Sequence, residues 1–338
     1  IPELLMKIKP GILYISLIVI SIPIIWLSAD NLLNNVIVLK KKDVDRDSDT
    51  VRQVIIHPYI PEKVTFAGEE VPIWIDEVRE RLENELVINT HWHSNTIMML
   101  KVAPRWFPFF ESIFDTMGVP LDFKYVSLVE SRLKNEISPA GAAGFWHLMP
   151  NSARDFNLYI DDEVDERYDV EKATYVAGKY FLKAKEKFST WTNAAASYNR
   201  GMGGLSRAIS HQKVDNYYDL KMNSETARYV FRIIAIKLIF ENPERYGFYL
   251  SDSDYYRPLQ TKSFTVDSTI DWVNFAFEHN TIYKYVRLYN PWIQDKVLIN
   301  RKRREYTVLI PENSQIFRNP VKNLIDTSGT EDSLSKEE

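Results

Sequence analysis

The sequence predicts a mainly α protein that ends in a small α+β module. Three observations carry that expectation. Apolar residues recur at helical spacing through most of residues 76–241, few convincing strands occur before residue 250, and after residue 243 the pattern becomes strand, helix, helix, strand. At 338 residues the chain can hold one large or two modest domains, and 45% hydrophobic and 13% aromatic residues supply their cores. A net charge of -4 gives no electrostatic case for nucleic acid as a partner. The absence of cysteine excludes a disulfide framework, thiolate chemistry and a zinc–thiolate site.

Residues 10–29 carry no charge and follow Lys7 and Lys9, which reads as a signal peptide or membrane anchor over residues 1–30. The lysines are expected to stay cytoplasmic, sending the rest of the chain across the membrane. "LSA" at 27–29 offers a cleavage site, so cleaved signal and retained anchor stand level, and Met6 is the expected natural start. The charged run "KKKDVDRDSDTVRQ" places a linker over 31–72. Helical patterns follow at 76–88 and 95–117, the second expected to break or bend at Pro104 and Pro108. A helix from about residue 121 carries Glu130, and further patterns surround Ala153 and cover 171–188, 192–198 and 225–241. These make one α-rich domain over 73–250. Beyond it, 263–266 reads as a strand, "STIDWVNFAFEHN" and "IYKYVRLYNPWI" as short helices, and 304–311 as a closing strand, a module over 260–313. The polar, acidic stretch 314–338 is expected to be disordered.

Glu130 lies on a helix whose other positions are largely apolar, just before "SPAGAAG" at 138–144. Burial disfavours an ionised carboxylate and raises its pKa, as a general acid near neutral pH requires. A loop without large side chains, including Gly141, lets another chain approach and presents backbone polar groups. "AAASYNRG" at 194–201 packs small residues beside the phenol of Tyr198 and the amide of Asn199.

The order of "ES" at 130–131, "SPAGAAGFWHLMP", "DERYD" at 165–169, "AAASYNRG" and "ETARYV" at 225–230 resembles that of the lytic transglycosylases related to goose lysozyme. The resemblance covers roughly residues 95–250. It implies a lysozyme-like fold acting on peptidoglycan glycan strands in the Gram-negative envelope, on the periplasmic side of a membrane, with no cofactor or metal. It implies that Glu130 is the single catalytic acid, cleaving between N-acetylmuramic acid and N-acetylglucosamine and leaving a 1,6-anhydro end. On the same resemblance Tyr198 is the tyrosine that bonds near the acid and Asn199 its partner. Ser138 would help hold acid and sugar, and Met149, Tyr229 and Glu225 would line the sugar cleft.

Two departures stand out. His147 occupies the place of a family glutamine, bringing a group that changes charge near pH 6 to 7. The segment between Glu130 and Ser138 lacks the family's Asn-Pro and is one residue short. The acidic run 161–166 offers a second carboxylate for a hydrolytic rival reading, although capping a helix or bonding Arg167 is the better account of it. A catalytically weak peptidoglycan binder is the other rival.

His91 and His93 lack a third ligand at suitable spacing and read as surface or packing residues. Trp106, Phe107, Phe109 and Phe110 read as core. The C-terminal module resembles a lysin motif whose Gly-Asp-Thr is replaced by "DST" at 267–269, so sugar binding and a structural role stay level. Arg301, Lys302, Arg303 and Arg304 form a basic turn, most simply a solvated one.

Overall fold

The computed structural model describes residues 57–313, so the apolar run at 10–29, the expected linker up to residue 56 and the acidic tail lie outside the described residues. Among the described residues no helix is long and apolar enough to cross a membrane. The segment 57–72, expected as the end of a linker, instead packs Ile60, Val64, Phe66 and Val71 into the main core. It folds back through a two-residue hairpin, β1 (Thr65–Phe66) with β2 (Glu69–Glu70), turned by Ala67 and Gly68, both at positive φ.

Helix α1 (Asp76–His91) opens with two acidic residues, which suit the positive end of a helix dipole, and buries Val78, Leu82 and Leu86 along one stripe. Helix α2 (His93–Met117) runs unbroken through Pro104 and Pro108, so of the expected break or bend the break does not occur. Met99, Ala103, Phe107, Phe110 and Phe114 bury one side of it at helical spacing, and that packing outweighs the missing N–H groups. The Tyr256 amide donates to the Lys101 carbonyl at 2.8 Å within the same stretch. Gly118, at φ 73°, ends the helix in the left-handed conformation that glycine adopts without steric cost.

Short helix α3 (Lys124–Ser131) follows a 3₁₀ turn, and α4 (Pro150–Asp155) starts on a proline. Helices α5 (Val170–Phe188) and α6 (Trp191–Arg200) are N-capped by Asp169 and Thr190, whose side chains accept from Lys172 and Asn193 amides. Ala194, Ala195 and Ala196 are fully buried on α6, letting that helix approach its neighbours closely. Helix α7 (Met202–Gln212), absent from the sequence expectation, begins in "GMGG", where three glycines mask its helical pattern. Helix α8 (Ser224–Glu241) is capped by Asn223 and buried on nearly every side, so it forms the axis of the domain.

In the C-terminal module β3 (Thr261–Val266) pairs antiparallel with β6 (Tyr306–Pro311), Thr261 opposite Pro311 and Val266 opposite Tyr306. Helices α9 (Trp272–Glu278) and α10 (Tyr283–Tyr289) lie between them in the chain. Both are shorter than expected, because β4 (Ile270–Asp271) pairs with β5 (Val297–Leu298) and Asp271 caps α9. Trp272, Trp292, Tyr306 and Val308 build its core. Buried Asn290 braces α10 to β6, exchanging hydrogen bonds with the Leu309 carbonyl and amide at 2.6 and 2.7 Å. The mainly α architecture with a small α+β end is therefore the one expected.

Candidate active site

Helix α3 turns Tyr125, Val126, Ser127 and Leu128 into the core, and its last turn leaves Glu130 half-hidden, its side chain 17% exposed. The Tyr229 hydroxyl, from α8, donates a short hydrogen bond to Glu130 Oε1. Burial pushes the Glu130 carboxyl up to about 7. The Tyr229 hydrogen bond and the Arg232 charge oppose that rise, while the Glu225 charge adds to it. A group held there is populated in both protonation states near neutral pH, so the same carboxyl can give a proton and take one back.

Beyond α3 the chain reverses through Arg132 and Leu133, both at positive φ (57° and 56°), where a side chain is strained. Ser131, the buried neighbour of Glu130, donates to the Phe145 carbonyl at 2.7 Å and ties the helix end to the returning loop. In that loop Ala143 bridges both Ile137 and Leu148. Ser138 Oγ accepts from the Ala142 amide at 3.0 Å, and Gly141 turns at φ 86°. Trp146 is completely buried against Phe110 and Phe114, with its indole N–H on Thr174 Oγ1 at 3.0 Å. The next residue, His147, is at φ 44° with Nδ1 3.7 Å from Glu130 Oε2, close but beyond hydrogen-bond reach.

The expected site residues divide into four groups. Glu130, Tyr229 and His147 come together around the carboxyl. Tyr198 donates at 2.7 Å to the Trp146 carbonyl rather than to the acid, so it fixes the backbone on which His147 sits. Asn199 donates to Glu225 Oε1 at 3.0 Å and accepts from Thr226 Oγ1 at 2.7 Å, linking the end of α6 to the start of α8. Ser138 and Gly141 shape the loop, and Met149 stands 43% exposed at the start of α4. A cavity of about 700 Å³ lies elsewhere, around Glu69, Trp74, Thr190 and Tyr218.

The charge expected of His147 needs correction. Burial lowers its pKa below the ordinary histidine range, with the Arg132 charge acting in the same direction against Glu136. The ring is therefore neutral beside Glu130 at neutral pH, and its Nε2 is buried with no hydrogen-bond partner among the described residues. The acidic run 161–166 is also committed. Asp165 holds buried Arg167 through both carboxylate oxygens, Glu166 pairs with Lys172 at 2.6 Å, and Asp161 accepts from the Glu163 and Val164 amides.

Arg167 then reaches the loop that follows Glu130, donating to the Gly141 carbonyl at 2.7 Å and the Leu148 carbonyl at 3.2 Å. Gly144 packs against its backbone so closely that a Cβ there would stand 2.0 Å from the Arg167 carbonyl oxygen. Sequence reasoning missed the loop-holding roles of Arg167 and Ser131. The signal for the first was an arginine among carboxylates, a pattern too common in solvated loops to be decisive.

A mainly α domain that sets the partly exposed Glu130 carboxyl beside a loop of small residues resembles the lysozyme-like class. Residues 118–220 match the family model of the transglycosylase SLT domain, and residues 262–314 match that of the soluble lytic transglycosylase C-terminal LysM-like domain. The chain thus carries an SLT domain followed by a LysM-like module. Over 203 residues it is 28% identical to membrane-bound lytic murein transglycosylase D of Escherichia coli K12, which takes in 57% of this chain and 44% of that protein. The protein of the same name from Escherichia coli O6:H1, strain CFT073, matches to the same extent. The chain spans less than half the length of the curated relatives it matches.

Proposed function

We propose that this protein is a lytic transglycosylase that cleaves peptidoglycan glycan strands, with Glu130 as its sole acid and base. Protonated Glu130 gives its proton to the oxygen joining N-acetylmuramic acid to N-acetylglucosamine, and that glycosidic bond breaks. The resulting oxocarbenium-like or acetamido-assisted sugar is then attacked at C1 by the C6 oxygen of the same muramic acid, while the Glu130 carboxylate takes the C6 hydroxyl proton. The product ends in 1,6-anhydro-N-acetylmuramic acid, water is not consumed, and Glu130 returns to its starting form.

The observation that carries this reading is the single half-hidden carboxyl at about 7, braced by Tyr229. Glycoside hydrolases ordinarily need a second carboxylate to activate water or attack the sugar. The acidic run that offered one is tied up in structural contacts. Glu225, whose charge reaches Glu130, is the remaining candidate for such a base and favours a muramidase as the second reading. Ser138, Gly141, His147, Met149, Asn199 and Glu225 are assigned to glycan contact, and Tyr198 and Tyr229 to positioning. A place in the cell envelope accords with this substrate and with the apolar run at 10–29.

Mass spectrometry of the products released from peptidoglycan by residues 41–338, beside the Glu130→Gln variant, tests the proposal. Anhydromuropeptides that disappear in the variant are the expected result. Reducing-end muropeptides would make it a hydrolase, and binding without release would make it a binder.

A further inference from the structure

The core of the C-terminal module takes in side chains from the acidic run and its flanks: Val164 is buried in it, and Tyr159 and Tyr168 pack against it. Val164 belongs in sequence to the transglycosylase domain, yet it is 1% exposed inside the core of the LysM-like module. Around it the chain pairs with the module through an isolated antiparallel bridge. Val164 bridges Ile293, the Gln294 amide donates to the Glu163 carbonyl at 2.8 Å, and the Asp165 amide donates to the Trp292 carbonyl at 2.9 Å. Glu163 Oε2 also accepts from the Ile299 amide at 2.9 Å.

The same few residues hold the loop that follows Glu130. The Asp165 backbone goes to the module, while its carboxylate goes to Arg167 at 2.6 and 2.9 Å. Arg167 in turn holds the Gly141 and Leu148 carbonyls on either side of His147's turn. A buried ion pair of this geometry has two directional ends, so a shift of Asp165 is passed to the loop rather than absorbed.

We propose that the docked module sets the geometry of the Glu130 site, and that Glu163 and Val164 are positioning residues for it. On this account the module does more than retain the enzyme on the wall. With the joint loosened, the loop loses its brace and turnover falls even on substrate too short to reach the module. The proposal's kinetic half rests on the transglycosylase reading; its structural half does not.

The test is hydrogen exchange on the full chain and its Val164→Asp, Glu163→Ala and Val164→Ile variants, with kcat and KM on short soluble glycan fragments. Exchange at the Ala143 and Leu148 amides, which bond to each other's carbonyls, is expected to quicken about tenfold or more in the first two variants. Amides of α8 keep their protection, and Val164→Ile behaves as the parent. In parallel kcat falls several-fold while KM stays within about twofold. Unchanged exchange at Ala143 and Leu148 in Val164→Asp and Glu163→Ala overturns the proposal. If Val164→Asp loosens α8 as well, Glu163→Ala decides by the same criterion. A parent without turnover would defeat the transglycosylase reading and leave the exchange result standing on its own.

Discussion

At the scale of residues, one carboxyl in an unfavourable place carries the account. The raised Glu130 value has a stability consequence with a definite sign. A carboxyl that titrates near 4.5 when unfolded and near 7 when folded favours the native state fully below about 4.5, and that contribution is lost as pH rises through about 7. The loss is on the order of 3 kcal/mol between those values. Glu130→Gln lacks the titration, so its stability relative to the parent should rise between about pH 4 and pH 8 in urea unfolding; a constant offset would contradict the burial argument. Tyr229→Phe removes the donor that favours the ionised form. The alkaline limb of kcat/KM, where Glu130 loses its proton, should then move to higher pH while kcat falls; a limb left in place would mean that Tyr229 does not tune the acid.

At the scale of elements, the loop 132–149 is the part that must be held. Three non-glycine residues around Glu130, namely Arg132, Leu133 and His147, have positive φ, and strain of roughly 1–3 kcal/mol each persists only where neighbours enforce it. Gly144→Ala places a Cβ against the Arg167 carbonyl and also strains a residue at φ 77°. It should destabilise the protein by about 3 kcal/mol or more in thermal or urea unfolding, and a change under 1 kcal/mol would show that the loop yields.

This is also where the sequence was least legible. The long helices and the half-hidden Glu130 show themselves through 3.6-residue periodicity, and the family resemblance pointed to Tyr198 and Tyr229. Periodicity is silent on side chains that bond backbone carbonyls across the chain. So the loop contacts of Arg167 and Ser131 and the actual partner of Tyr198 emerged only from the fold, although the pairing of Arg167 with the acidic run was expected. Helix α7 was hidden by glycines that propensity penalises, and the persistence of α2 through two prolines reflects tertiary packing that local rules omit.

At the scale of the whole molecule, a shared joint makes the two hydrophobic clusters one cooperative structure. Calorimetry on the parent should show a single transition across residues 57–313, and Val164→Asp should split it in two; two transitions in the parent would mean that the module folds on its own terms. The catalytic claim is that one carboxyl both gives and takes the proton, with the sugar's own hydroxyl in place of water. Digestion of peptidoglycan in water labelled with heavy oxygen tests it most directly. Anhydro products that carry no label and vanish with Glu130→Gln are the expected result, whereas label at C1 of N-acetylmuramic acid would contradict the proposed chemistry.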